Sequence, residues 1–163
     1  MKIFLFCLTV LCGMLASAGC GYSMKSIYKT EYAVICIPVI ENKTLRREHE
    51  FDLTDAVIKA YQERTRYAIT AKPENADVVI RGEIENYLTP SLVENIDDQV
   101  IVSSVTIKLN IIIFDKNNSI IYNGSRVESA NFSGTKGESE ASAKAEVIEK
   151  LARWAVSCME NPW

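Results

Sequence analysis

The sequence predicts an α+β fold: a two-layer sandwich in which two helices pack on one face of a mostly antiparallel sheet, in the order β-α-(β)-β-β-β-α. Three observations predict it. Residues 77–87 and 105–113 alternate apolar and polar side chains with a period of two. Residues 53–61 and 147–158 repeat apolar side chains at helical spacing. One helical segment precedes these strands and the other follows them.

The first element is the apolar, β-branched run AVICIPVI (Ala33–Ile40), which is too short for a helix and reads as a buried strand. Pro38 cannot donate a ladder hydrogen bond, so it belongs near that strand's end or at an edge. Glu41–Glu50 is polar and holds Lys43, Arg46, Arg47 and His49, making it the most basic loop in the chain. Leu53, Val57 and Tyr61 then recur every four residues with Ile58 beside them. Asp55, Lys59, Gln62 and Glu63 take the other side, which gives an amphipathic helix ending near Arg66.

A short strand is expected at Tyr67–Ala71, before Pro73 breaks the chain. In Asp77–Tyr87, Val78, Ile80 and Ile84 face one way and Arg81, Glu83 and Glu85 the other, so one face is packed and one wet. An acidic stretch with Pro90, Asp97 and Asp98 leads to a second alternation that aligns Val105, Ile107, Leu109, Ile111 and Ile113. Lys116-Asn117-Asn118 supplies a turn, and Ile120–Val127 returns as the second strand of the hairpin. In the last helix, about Ser139–Cys158, Val147, Leu151, Trp154 and Cys158 form a stripe beside Ala141, Ala145, Ile148, Ala152 and Ala155.

The N-terminus has a different character. Lys2, the apolar run Ile3–Ala16 and small residues after it have the layout of an export signal, and the run falls short of the roughly 20 residues of a membrane-crossing helix. Two cleavages compete. Ala16-Ser17-Ala18 suits ordinary signal removal before Gly19, whereas Ser17-Ala18-Gly19-Cys20 has the form of a bacterial lipobox, with Ser17 in the place usually held by Leu. The second makes Cys20 an acylated first residue, anchored in lipid by its chains rather than by protein surface. Gly21 follows it, not the Asp that commonly retains bacterial lipoproteins in the inner membrane, so the outer membrane is expected. The organisation is then a signal at 1–19, a lipidated tether at 20–32 and one domain at 33–163.

The chain carries a net charge of −3, and loss of the leader removes only Lys2 from the charged residues. An acidic domain argues against nucleic-acid binding. Cys36 and Cys158 are the cysteines left beside Cys20, and an oxidising compartment would allow them to pair, with two buried thiols as the alternative. Four Asn-x-Ser/Thr triplets, at Asn42, Asn117, Asn123 and Asn131, would accept glycans in a eukaryotic secreted chain and are accidental in a bacterial one.

Catalytic chemistry finds little support. His49 is the one histidine, no G-x-S-x-G elbow accompanies it, and Gly134-Thr135-Lys136-Gly137 lacks the spacing of a phosphate loop. Metal ligands are too few for a zinc site, and no metal or cofactor is expected. Asp97-Asp98 and Glu83/Glu85 read as solvated charges. Lys43, Arg46 and Arg47 form the candidate binding loop, for lipid phosphates or an acidic partner, since Arg suits forked contacts with both.

Three stretches together carry a resemblance: Gly19-Cys20-Gly21-Tyr22, PVIENKTLRREHEFDLTDAVIKA (Pro38–Ala60) and ADVVIRGEIENY (Ala76–Tyr87). The most characteristic part is the P-x-x-E-N-x-T turn leading into F-D-L-T. The chain resembles the lipopolysaccharide-assembly lipoprotein family of LptE type, best over residues 20–87. That resemblance implies a non-enzymatic outer-membrane lipoprotein with an α/β sandwich fold. It would sit in the lumen of an LptD-type β-barrel, face the periplasm, aid barrel assembly and help deliver lipopolysaccharide to the outer leaflet. Of the family's sites only Cys20 carries over, as the lipid attachment point. The alternative function is another periplasmic accessory lipoprotein, a pilotin or an assembly-machine binding module.

Overall fold

The computed structural model describes residues 32–94 and 100–159, so the leader, Cys20, the tether up to residue 31, Asp97 and Asp98 lie outside the described residues. Seven strands and two helices follow in chain order: β1 (Val34–Cys36), β2 (Glu41–Asn42), α1 (His49–Arg64), β3 (Ala68–Thr70), β4 (Val78–Leu88), β5 (Ser91–Glu94), β6 (Val100–Asp115), β7 (Ile120–Phe132) and α2 (Glu140–Ser157). The strands form one sheet in the order β3-β1-β4-β6-β5, with β2 also on β4 and β7 also on β6. The long pairings β4–β6 and β6–β7 are antiparallel, and β1 and β2 add short parallel ladders. Both helices cover one face, giving the α+β sandwich that the periodicities predict.

Of the run Ala33–Ile40, expected as a single strand, only Val34–Cys36 forms a strand, β1, and a second short strand, β2, follows the run at Glu41–Asn42. Pro38 has no N–H, and the N–H of Ile40 is taken by Thr54 Oγ1 of α1 at 3.0 Å, so the ladder stops after Cys36 and resumes at Glu41. The entry to β1 is fixed by Asp77, whose Oδ2 accepts from the N–H groups of Ala33 and Val34 at 2.9 and 3.0 Å; these bonds hold its carboxyl below its ordinary pKa.

Leu53, Val57 and Tyr61 of α1 are buried as their spacing predicts, and the Tyr61 hydroxyl donates to the Ala155 carbonyl of α2 at 2.8 Å. α2 opens on a reciprocal cap. Ser139 Oγ accepts from the Ser142 N–H, while Ser142 Oγ accepts from the Ser139 N–H. Its stripe is narrower than expected. Ala143, Val147, Ile148, Leu151, Ala152 and Ala155 are buried, but Ala141 and Ala145 face solvent and Trp154 is half-buried.

The register of β4 on β6 places Ile80 against Ile113 and Ile84 against Leu109, all in the core. Gly82 shares that face because a Cβ there would come within 2.9 Å of Ile40 Cγ1; its bare backbone lets Ile40 seat on the sheet. Beyond Ile84 the register slips by one at Glu85. This extra residue turns Tyr87 into the core opposite Ile107. The hairpin turn is held by Asp115 Oδ1, which accepts from the N–H groups of Asn117 and Ser119, with Asn118 in the left-handed region at φ 61. β7 continues five residues past the expected Val127, to Phe132.

Candidate functional site

The basic loop between β2 and α1 is organised by Asn42. Its Oδ1 accepts from the N–H and hydroxyl of Thr44 at 2.9 and 2.7 Å, and its Nδ2 donates to the Arg46 carbonyl at 2.6 Å and to Glu50 Oε2 at 2.8 Å. The bond from Asn42 pulls the Glu50 carboxyl below its ordinary pKa. Asn42 and Thr44 are the N and T of the P-x-x-E-N-x-T turn, so the motif has a mechanical meaning: the two side chains replace the backbone ladder where the strand stops.

The three candidate cations do not converge. Lys43 turns to the side of the sheet that neither described helix covers, where its Nζ pairs with Glu83 at 2.5 Å, a contact that raises its pKa. Arg46 turns the other way, toward the start of α2. Its Nη1 lies 3.0 Å from Glu140 Oε1, its Nη2 donates to Thr89 Oγ1 at 3.0 Å, and its guanidinium sits 5.2 Å from the centre of the Tyr87 ring. Arg47 is exposed and, among the described residues, makes no hydrogen bond or ion pair. Leu45 at the loop tip is fully exposed. The loop therefore offers one unengaged cation beside one apolar side chain, and its other two charges are spent within the fold.

Tyr87 is the centre of the Arg46 cluster. Its hydroxyl donates to Glu140 Oε1 at 3.1 Å, and burial together with that carboxylate pushes its pKa up to about 12. His49 stacks on the same ring, at 4.2 Å between centroids and 14° between planes. Its Nδ1 is buried with no hydrogen-bond partner, and burial, then Lys144, lowers its pKa below 6.5. A histidine packed this way is a structural plate against the Tyr87 ring. Tyr87 and Asn42 are the residues that charge-based reading overlooks; the aromatic near the end of a strand and the Asn-x-Thr spacing were the available signals.

The side of the sheet that neither described helix covers is the second feature. Arg81 and Glu83 of β4 share it with Asn110, Ile112 and Phe114 of β6, and the Arg81 guanidinium lies 5.0 Å from the Phe114 ring centre. Pro38 and Val39 rim a shallow groove there of about 280 Å³. Its lining mixes apolar and charged groups, as an interaction surface does.

Cys36 and Cys158 are both buried and both free, so the disulfide allowed by the sequence does not form. The sheet itself stands between them. Ile35 pairs with core-facing Val78, which turns its neighbour Cys36 to the opposite face, while Cys158 ends α2 on the helix side, hydrogen-bonded to Tyr122. Burial raises both thiols, Cys158 to about 11.

Among the described residues no three His, Cys, Asp or Glu side chains converge as metal ligands, and no helix is long and apolar enough to cross a membrane.

Comparison with known proteins agrees with this architecture. No curated protein sequence matches the chain. Solved structures share its fold at low identity: a lipoprotein B from Nitrosomonas europaea (9% identity, TM-score 0.62, covering 87% of this chain and 90% of that one), a protein from Xanthomonas campestris (10%, 0.62, 79% and 83%) and a hypothetical protein from Chlamydia trachomatis (14%, 0.57, 80% and 96%). The sequence profile of the LptE lipopolysaccharide-assembly family matches residues 32–156, from the entry of β1 almost to the end of α2. With nearly the whole described domain inside that match, this chain belongs to the LptE family of non-enzymatic lipopolysaccharide-assembly lipoproteins.

Proposed function

We propose that this protein is the lipid-anchored subunit of an outer-membrane lipopolysaccharide translocon, held through acylated Cys20, and that it seats inside an LptD-type β-barrel to support barrel assembly and lipopolysaccharide delivery. The observation that carries the reading is the family match laid over a sandwich with one sheet face that neither described helix covers. A body lodged in a barrel needs a rigid core and a polar outer surface, and the Lys43–Glu83 pair, Arg81 and Asn110 supply such a surface beside Ile112 and Phe114. The layered core beneath them keeps that face rigid.

The loop tip suits contact with an amphiphile. Arg47 offers an unspent guanidinium for a phosphate and Leu45 an apolar side chain for an acyl region, while Arg46 stays with Glu140. Arg47→Gln should weaken lipopolysaccharide binding and reduce its salt sensitivity, because an exposed charge is screened over about 8 Å at physiological ionic strength.

The deciding experiment is affinity isolation of the tagged protein from membranes in mild detergent, with identification of its companions and mass spectrometry of the mature N-terminus. A large β-barrel partner, an acylated Cys20 and loss of surface lipopolysaccharide on depletion are expected. Recovery of an unmodified monomer, or loss of a pilus or secretion pore instead, would refute the proposal.

A further inference from the structure

The chain enters the domain at one end of the sheet. β1 runs parallel to β4 with Ile35 beside Val78, so Tyr32 lies where β4 starts, and it lines a small cavity with Asp77 and the hairpin residues Asp115, Lys116 and Asn117. The Arg46 loop stands at the other end of β4, where Arg46 bonds Thr89. Eleven residues, 21–31, separate Tyr32 from Cys20, a span of at most roughly 40 Å. The end of the sheet that carries the β6–β7 turn is therefore the one nearest, along the chain, to Cys20.

At that end the face that neither described helix covers is apolar. Val79 lies between core-facing Val78 and Ile80 and so points to the opposite face, and the register carries its row across the sheet through Phe114 to Ile120. The register slips beside Phe114, which leaves Ile121 as an extra residue of β7 with no partner on β6. Ile120 and Ile121 are 59% and 41% exposed, the only consecutive pair among the large apolar side chains exposed in the described residues. The next row, Arg81, Ile112 and Asn123, is mixed, and the one beyond it, Glu83, Asn110 and Ser125, is polar. Two cations that make no ion pair among the described residues flank the apolar row: Arg81, over the Phe114 ring, and Lys116 in the turn. The carboxylates of Asp77 and Asp115 at this end accept from backbone N–H groups of β1 and of the turn.

We propose that this end of the sheet rests on the phospholipid surface that holds Cys20, with Ile120 and Ile121 in the interfacial region and Lys116 and Arg81 on anionic headgroups. The inference rests on the reading of Cys20 as acylated, and it concerns the single anchored copy before it seats in a barrel. Isoleucine side chains gain by leaving water for the acyl boundary, and a cation beside them gains from the negative potential of the headgroups. Leu45 with Arg47 is a second such combination, but it stands at the far end of the sheet, away from the tether. Tethering through Cys20 makes the contact intramolecular, so even a weak patch is occupied at the effective concentration that a short tether sets. The lipid then shields the apolar row until a barrel wall takes its place.

The test uses the whole mature chain from residue 20 with Cys20→Ser, which carries no acyl group, so failure of the contact and failure of the anchor are read separately. This chain should sediment with phosphatidylethanolamine vesicles that contain phosphatidylglycerol, and less as salt is raised. Ile120→Asp/Ile121→Asp, confirmed as folded by its urea midpoint, should bind about tenfold more weakly. Lys116→Glu should bind more weakly and with a smaller salt dependence. An environment-sensitive dye on Ile120→Cys should shift to the blue on these vesicles while the same dye on Leu45→Cys does not, and the buried Cys36 and Cys158 take no label. No binding to the anionic vesicles, or a dye at residue 45 that shifts as much as one at residue 120, would overturn the proposal. A double variant that binds vesicles like the parent but loses its barrel partner on affinity isolation would overturn it too, and would make the row a protein seat.

Discussion

Arg46 and Glu140 stand 94 positions apart in the chain and meet at 3.0 Å, joining the loop before α1 to the first turn of α2. The contact sits at the start of a helix, where a carboxylate is favoured by the unpaired N–H groups, and it lies over Tyr87, which both residues touch.

Replacing Arg46 with Gln removes the ion pair and the contact with the Tyr87 ring. Both partners are half exposed, so the expected loss of stability is about 1 kcal/mol, seen as a lower urea midpoint with an unchanged slope. A loss several times larger would mean that the loop and α2 unfold together.

Gly82 is needed for the space above it. Gly82→Ala drives a Cβ toward Ile40 and should cost roughly 1–3 kcal/mol by overpacking. In the double variant Gly82→Ala/Ile40→Ala, which removes Cγ1, the losses of the two single changes should be less than additive. Thermal denaturation of these variants checks both statements, and an unaffected Gly82→Ala would contradict the close approach.

The two thiols should be silent in the folded protein. Neither Cys36 nor Cys158 should react with a thiol reagent until urea is added, and a reducing agent should leave the melting temperature unchanged.

Cys158 also sets an alkaline limit. Its thiol titrates near 9 when unfolded and at about 11 when folded, so the folded state holds its proton longer. The associated stability is complete below pH 9 and disappears as pH rises toward 11, an effect on the order of 1–2 kcal/mol. Cys158→Ala should flatten that part of the stability curve, measured as denaturant midpoints at successive pH values.

His49 has the opposite sign. Its pKa is lowered by burial, so below pH 6.5 the unfolded chain takes up a proton that the folded chain resists. Stability should fall as pH drops through that value. His49→Phe keeps the stack on Tyr87 and removes the titration, and its urea midpoint should be less sensitive between pH 7.5 and 5.

Much of this fold was legible in short windows. The positions of Leu53, Val57 and Tyr61, and the alternation from Val105 to Ile113, state which side of each element is buried, and all of these residues are buried in the structure. Such windows miss what another element does to them. Pro38 signalled an interruption, but the break into β1 and β2 needed Thr54 of α1 to claim the N–H of Ile40. The bulge at Glu85, which turns Tyr87 inward, appears only when β4 is laid on β6. The charges of Lys43 and Arg46 were visible as a cluster; their partners Glu83 and Glu140 were not, because each lies on a different element.

The sequence alone determined the layer order, the buried faces and the family resemblance, since hydrophobic periodicity and local turn chemistry act over a few residues. Tertiary structure alone decided that Cys36 and Cys158 lie on opposite sides of the sheet, that Arg46 closes on Glu140 and that, among the described strands, β7 pairs with β6 alone. Those outcomes depend on register and strand order, which are set by contacts between residues far apart in the chain, and no local pattern encodes them.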